Sequence, residues 1–157
     1  MGLKRVVVTG IGALTPVGNN LEDYWNGLLN GVSGADFITL FDATKFKTRF
    51  ACELKKFDPL QFLEKKEARK LDRFTQTALV ASDQAISDAG INKTNVNTDR
   101  VGVVFASGIG GLITFQEEVI NFAKGDGTPP VQSFLYSQDD SRYCCRPYFN
   151  SPRIPGP

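Results

Sequence analysis

The sequence RVVVTGIG, residues 5–12, joins a run of β-branched residues to a glycine-rich turn. Such a run predicts a buried strand at Arg5–Val8 that leaves a sheet for a loop. The sequence VGVVFASGIGG, residues 101–111, repeats the pattern and predicts a second strand over Val101–Ala106. Because each turn leads into residues with helical spacing, the two stretches together predict a layered α/β fold.

Helical periodicity follows both stretches. Asn19 and Asn20 can cap a helix from Leu21 to about Leu29, with Gly31 just past its end. The strongest pattern begins at about Asp72 and ends before Gly90, and its inner face is mostly alanine, which lets another backbone come close. The remaining elements are a strand around Arg49–Leu54, a short helix over Leu60–Leu63 and a helix over Leu112–Phe122.

Composition excludes several classes of site. The 157 residues include no histidine, so the usual general base, the usual zinc ligand and the imidazole partner of a nucleophile are all missing. A net charge of +1 provides no general attraction for nucleic acid. No apolar run reaches the roughly 18 residues that span a bilayer. We therefore expect a cytoplasmic protein with no metal, no cofactor, no nucleic acid and no membrane partner.

The composition changes at Pro129. Residues 129–157 hold six of the eight prolines, three of the four tyrosines and no lysine, and they show neither helical nor strand periodicity. We expect residues 1–128 to form the folded portion and residues 129–157 to be an aperiodic tail. Cys144 and Cys145 lie in that tail, with no third cysteine nearby, and do not resemble a site.

The two glycine turns have two interpretations. Their backbone N–H groups could hold a phosphate, or the glycines could simply permit tight turns between strand and helix. Neither turn matches the spacing of a nucleotide-binding loop, and Pro16 removes a donor, so tight turns are favoured. Cys52 lies in an alternating apolar and polar stretch and is interpreted as a small buried residue.

Basic residues concentrate between Lys65 and Arg73. If this segment is helical, Lys66, Arg69, Lys70 and Arg73 lie on one side. The alternatives are a solvated helix face and a docking surface for an acidic partner, and Glu64 just before the segment, with Glu67 and Asp72 inside it, dilutes its charge.

Several motifs together resemble a known family. They are residues 4–19, Trp25, Gly34, Phe41-Asp42, residues 69–74 and residues 107–111. In order and spacing they resemble the opening of the 3-oxoacyl-[acyl-carrier-protein] synthases of type II, β-ketoacyl synthases of thiolase-like fold, over about residues 3–128. The resemblance implies an incomplete thiolase-like fold, the first part of the N-terminal βαβαβ-type half. It also implies fatty-acid elongation by decarboxylative Claisen condensation of malonyl-carrier protein with an acyl chain held as a cysteine thioester.

The resemblance assigns few site residues to this chain. Ile109 matches the residue at the end of the acyl pocket, and Lys66, Arg69 and Lys70 match the basic patch that docks acyl carrier protein. The family's catalytic cysteine and two histidines come later in the chain, so we expect no catalytic residue here. Intact members form homodimers. For the 157 residues alone we expect exposed apolar surface on the helix over Leu112–Phe122 and no condensing activity.

The genetic code offers an explanation for residues 130–157. Degenerate codons for residues 130–140, moved by one base, can be read as RFNPFFIPKM. Continued through Gly156, the shifted frame can give IADIAAGHISIRRGYRG, which is similar to the family's next segment and contains a histidine. The shift leaves two of three bases fixed in each codon, so chance agreement over this length is rare. The sequence therefore predicts one extra base near Pro129-Pro130.

Two rival functions remain open at this point. The chain could be a standalone interaction module that binds an acidic partner through its basic helix. It could also be a small nucleotide-binding α/β domain, for which the glycine turns are weak evidence.

Overall fold

The computed structural model describes residues 3–92, 94–97 and 100–125. These residues form the helices α1 (Leu21–Leu29), α2 (Lys65–Ala68), α3 (Arg73–Asp88) and α4 (Leu112–Lys124), the strands β1 (Asp36–Phe37) and β2 (Phe50–Ala51), and a 3-10 helix at Pro59–Gln61. They divide into two compact units. Residues up to 58 with residues 80–90 form the first unit, and residues 59–79 with the described residues from 91 onward form the second.

The first helix forms as predicted, because its ends carry the expected signals. The Asn20 side chain accepts a hydrogen bond from the Asp23 backbone N–H at 2.8 Å, and Glu22 and Asp23 occupy the first turn, where the helix dipole favours acidic residues. Gly31 follows the helix with a φ of +65°, a left-handed conformation that glycine adopts at low cost. The prediction of α1 and of its Asn20 cap is confirmed.

The alanine face of α3 also behaves as predicted. Within the first unit it lies directly against the glycine turn: a Cβ built on Gly10 would lie 2.6 Å from the Ala89 backbone nitrogen. A Cβ on Gly12 would overlap the carbonyl oxygen of Ala81. The backbones therefore approach as closely as glycine and alanine together permit, and the predicted close approach is confirmed.

The second unit has a small core built around α2 and the first half of α3. Its buried side chains are Leu63, Ala68, Thr75, Ala78 and Leu79. The short helix predicted at Leu60–Leu63 is a 3-10 helix over Pro59–Gln61, after which the Leu63 N–H donates to the Pro59 carbonyl at 2.8 Å. Helix α4 starts after Gly111 and ends before Gly125, in agreement with the sequence prediction.

The predicted buried strands are wrong for the described structure. Residues 5–8 and 101–106 are irregular, and Val6 and Val104 are 90% and 97% exposed. A buried strand needs neighbouring strands to take its backbone hydrogen bonds. Among the described residues the strands present are β1 and β2, which pair antiparallel with Asp36 opposite Ala51. Of the strand predicted around Arg49–Leu54, only Phe50–Ala51 forms.

The apolar residues of α4 are exposed, as the sequence predicted. The residues concerned are Leu112, Ile113, Phe115, Val119, Ile120 and Phe122. The described part of α4 buries none of its own residues, so its apolar faces lack a cover.

Candidate functional site

The basic segment, which we define as Lys65, Lys66, Arg69 and Lys70, begins in the short helix α2 and continues into the turn after it. All four side chains are exposed, while Leu63 before them and Ala68 among them are buried. The backbone continues as a turn in which the Lys70 N–H donates to the Glu67 carbonyl at 2.9 Å. The buried residues hold the segment in place, and its four cations face solvent.

The predicted helical face is only partly present. Helix α2 ends at Ala68, and Arg73 belongs to α3, where it is half-buried. The expectation that Arg73 shares one helical side with Lys66, Arg69 and Lys70 is therefore wrong. Two helices with a turn between them replace the single helix, and Gln76 hydrogen-bonds to two carbonyls at that turn.

Gln76 of α3 anchors the end of the basic segment. Its Nε2 donates to the Ala68 carbonyl at 2.8 Å and to the Leu71 carbonyl at 2.9 Å. The Ala68 carbonyl belongs to the last residue of α2 and the Leu71 carbonyl lies beyond the helix, where carbonyls need partners from outside. One side chain therefore fixes the direction in which the chain leaves the basic segment.

The second candidate group is the turn Ser107–Gly111, which carries Ile109. The Ile109 side chain is 74% exposed. A Cβ built on Gly110 would lie 2.9 Å from Cζ of Phe74, and Gly111 has a φ of +74°. The backbone thus lies against an aromatic ring of α3 and turns sharply into α4, leaving Ile109 at its outer edge.

Asp72 joins the starts of α3 and α4. Its Oδ1 accepts a hydrogen bond from the Phe74 N–H at 3.3 Å, and its Oδ2 accepts one from Thr114 Oγ1 at 2.5 Å. A carboxylate at the start of a helix is also favoured by the helix dipole. Asp72 therefore caps one helix and holds the first turn of the other.

The glycine turn at residues 9–13 is occupied by protein groups. The Ile11 N–H donates to Asp88 Oδ2 at 2.9 Å, and the Ala13 N–H donates to Gln84 Oε1 at 3.0 Å. A bound phosphate would need these donors and would be repelled by the Asp88 carboxylate. The geometry therefore favours the tight-turn interpretation over the phosphate site.

Three further predictions concern cysteine, metal and membrane. Cys52 is exposed, so its interpretation as a small buried residue is wrong: it follows β2 in a strand pair that is open to solvent. Cys144 and Cys145 lie outside the described residues. No cluster of three or more His, Cys, Asp or Glu residues in the described ranges could hold a metal ion. Within those ranges, none of the helices combines the length and apolar character needed to cross a bilayer.

Sequence reasoning missed the side chains that connect these groups. They are Asp72, Gln76, Gln84, Asp88 and Thr114. A signal existed for two of them, because Gln84 and Asp88 are four residues apart and share a helix side with Ala81 and Ala85. Polar groups on an otherwise small apolar face require partners when that face is packed.

Comparison with known proteins shows the family of this chain. The profile of the β-ketoacyl synthase N-terminal domain matches residues 3–141. The chain belongs to the β-ketoacyl synthase family. It is 50% identical over 115 residues to a 3-oxoacyl-[acyl-carrier-protein] synthase 2 from Synechocystis and 52% identical over 112 residues to one from Vibrio harveyi. These alignments cover 73% and 71% of this chain but only 28% and 27% of the relatives.

Solved structures support the same fold. A β-ketoacyl synthase from Burkholderia phymatum aligns with 87% of this chain at 28% identity and a TM-score of 0.67, and the alignment covers 34% of that protein. The ishigamide ketosynthase/chain length factor aligns with 58% of the chain at 34% identity and a TM-score of 0.53. The predicted fold class, part of a thiolase-like α/β fold, is confirmed by these likenesses.

Proposed function

We propose that this chain is the N-terminal part of a cytoplasmic β-ketoacyl-[acyl-carrier-protein] synthase. The intact enzyme would elongate fatty acids by decarboxylative Claisen condensation of malonyl-carrier protein with an acyl thioester. Within it, this chain would dock acyl carrier protein through Lys66, Arg69 and Lys70 and would place Ile109 at the end of the acyl pocket. The residues that make and break bonds would lie outside the part described.

The observation that carries the proposal is the exposed basic segment in a chain about half identical to acyl-carrier-protein-dependent synthases. Lys66, Arg69 and Lys70 are exposed around a backbone fixed by buried Leu63 and Ala68. Complementary charge speeds association and selects partners, so the acidic carrier protein suits this surface. The exposed Ile109 is compatible with a wall residue whose pocket is completed by other parts of the enzyme.

The docking proposal is tested by binding of acyl carrier protein to the 157-residue chain. We expect salt-sensitive binding that the triple variant Lys66→Glu/Arg69→Glu/Lys70→Glu weakens at least about tenfold, because reversed charges repel an acidic surface. The matched control is Lys4→Glu/Lys45→Glu/Lys47→Glu, which reverses three exposed cations of the first unit. Equal weakening by both triple variants would mean that only total charge matters.

The 157 residues alone are expected to form no 3-oxoacyl product. They include no histidine, and the family's mechanism requires two alongside the cysteine. We propose that residues 130–157 are read in a shifted frame after one extra base at Pro129-Pro130. Sequencing the gene across residues 128–130 tests this, and codons that cannot yield RFNPFFIPKM in the neighbouring frame would overturn it. Restoring the frame, with the continuation it opens, should then produce condensing activity.

The intact enzyme is further proposed to act as a homodimer. Sedimentation of the frame-restored protein tests this, with a dimer expected at micromolar concentration and a monomer counting against it. The same experiment on the 157-residue chain reports whether the exposed residues of α4 cause self-association.

A standalone interaction module is the alternative, and the exposed basic segment is the observation in its favour. Binding of an acidic helical partner would fit both candidates. Condensing activity in the frame-restored protein separates them, because an interaction module would remain inactive whatever its reading frame.

A further inference from the structure

The two candidate groups of the second unit both attach to the start of α3. The basic segment is attached through Gln76, whose Nε2 holds the carbonyls of Ala68 and Leu71 at 2.8 and 2.9 Å. The Gln76 N–H in turn donates to the Asp72 carbonyl at 3.0 Å. The end of the basic segment, Asp72 and the first turn of α3 are therefore joined by three hydrogen bonds.

The Ile109 turn is attached to the same place by two other contacts. Thr114 of α4 donates to the Asp72 carboxylate at 2.5 Å, and Gly110 lies against the Phe74 ring, with 2.9 Å from its built Cβ to Cζ. Phe74 is itself tied to Asp72 through its backbone N–H. The Phe115 N–H donates to the Gly111 carbonyl at 2.9 Å, and this hydrogen bond connects the first turn of α4 to the Ile109 turn.

We infer that the first turn of α3 links carrier docking to the acyl-pocket turn, with Asp72, Gln76 and Thr114 as positioning residues. A partner that binds Arg69 and Lys70 pulls on a segment whose carbonyls are held by Gln76. Hydrogen-bond networks and packed side chains carry such coupling, so displacement there reaches Asp72 and, through Thr114 and Phe74, the turn that bears Ile109. This inference deepens the proposed function and rests on it for the identity of the partner and of the pocket.

The linkage has a physical advantage for a chain-elongating enzyme. Carrier protein delivers the acyl chain, so a pocket wall that responds to docking can change only while a substrate is being presented. Such coupling requires two sites and a physical element shared by both. The polar contacts of Asp72 and Gln76 form that element within a single unit of the structure.

The first arm of the test uses the free 157-residue chain and hydrogen-exchange mass spectrometry. Gln76→Leu should speed exchange about fivefold in the peptide covering residues 109–116, the equivalent of losing one modest hydrogen bond. The matched control is Gln61→Leu, the same change at an exposed glutamine before the basic segment. The peptide covering α1 should exchange at an unchanged rate and reports that the variants remain folded.

The second arm adds saturating acyl carrier protein. Exchange should slow at least about threefold in the peptide over residues 64–72 and also in that over residues 109–116. Thr114→Val should abolish the second effect and preserve the first, with affinity within twofold of the parent. Thr114→Ser, which retains the hydroxyl, should show both effects, whereas a merely structural role would not follow the hydroxyl.

The outcomes separate the inference from the proposed function. If carrier protein slows no peptide, docking is refuted, and the linkage is then decided by the Gln76→Leu arm alone. If carrier protein slows residues 64–72 without affecting residues 109–116, docking stands and the linkage is wrong. Unchanged exchange at residues 109–116 in Gln76→Leu also overturns the linkage.

Discussion

The turns Thr9-Gly10-Ile11-Gly12 and Ser107-Gly108-Ile109-Gly110 share a Gly-Ile-Gly sequence but are held in different ways. The first is held through its backbone, because Asp88 and Gln84 accept its N–H groups and α3 alanines lie against its glycines. The second is held at its end, by the Phe74 ring against Gly110 and by the Asp72–Thr114 hydrogen bond. Gly108 itself has open space around it.

The comparison shows that glycine serves two physical purposes in one chain. In the first turn it removes a side chain where two backbones meet. In the second, Gly111 supplies a left-handed φ of +74° that starts α4. The first turn is therefore a packing element, whereas the second turns the chain into α4; both isoleucines are exposed, Ile11 at 49% and Ile109 at 74%.

The largest expected effect tests the packing role of Gly12. Gly12→Ala should lower the free energy of unfolding by about 3 kcal/mol, because the new Cβ overlaps the Ala81 carbonyl and forces the backbones apart. Gly108→Ala, where nothing lies within 4 Å of the built Cβ, should change it by less than about 0.5 kcal/mol. Urea denaturation followed by circular dichroism measures both, and equal losses would remove the distinction between the turns.

A smaller effect is expected from the side chain that holds the first turn. Gln84→Leu leaves the Ala13 N–H and the Asn19 carbonyl without this partner and should cost about 2 kcal/mol. Gln84→Glu retains the acceptor for Ala13 and should recover part of the loss. Gln116→Leu, at an exposed site on α4, is the control. If Gln84→Leu matches that control in urea denaturation, the turn is held by packing alone.

The left-handed residue of the second turn should contribute less. Gly111→Ala places a side chain at a φ of +74° and should cost about 1 kcal/mol. Gly102→Ala, in open space, should be close to neutral. Thermal melting of the two variants compares them directly, and the conformational role assigned to Gly111 fails if their midpoints coincide.

The smallest effect concerns an exposed ion pair in the same unit as the first turn. The hydrogen bond from Lys55 Nζ to Asp36 Oδ2, at 2.9 Å, lowers the pKa of Asp36 below its ordinary value of 3.8. A lowered pKa stabilises the folded state above pH 3.8, and this contribution is lost as the pH falls through the native value. Asp36→Asn should therefore reduce stability slightly at pH 7.

The pH dependence of that variant provides its own check. The difference between Asp36→Asn and the parent should shrink in acid, because protonation of the parent carboxylate removes the contribution of the lowered pKa. Urea midpoints at pH 7 and pH 2.5 measure it. A constant difference at both values would assign the effect to something other than this carboxylate.

Local sequence signals were sufficient to predict the positions of the helices but not those of the strands. Asn20, the alanine spacing of α3 and Gly125 each act within a few residues, so the sequence alone predicts where α1, α3 and α4 begin or end. The valines at residues 6–8 and 103–104 favour strands, but a strand also requires partners from elsewhere in the chain. In the described structure residues 5–8 and 101–106 form no strand, and Val6 and Val104 are exposed.

The exposed charges of the candidate site could be predicted from the sequence, but the hydrogen bonds that join its parts could not. The cations of the basic segment are exposed, as their spacing suggested, whereas the break between Ala68 and Arg73 was not foreseen. The Asp72–Thr114 bond joins residues 42 positions apart, and no local pattern reveals such a pair.

The boundary between the two units crosses α3 between Leu79 and Val80, which are both buried. A protease cannot cut there, since it needs several residues of extended, accessible chain. The other crossings, after Asp58 and after Gly90, follow exposed residues in irregular segments. Nicking at either place would leave α3 whole, so the two pieces would remain associated until denaturant separates them.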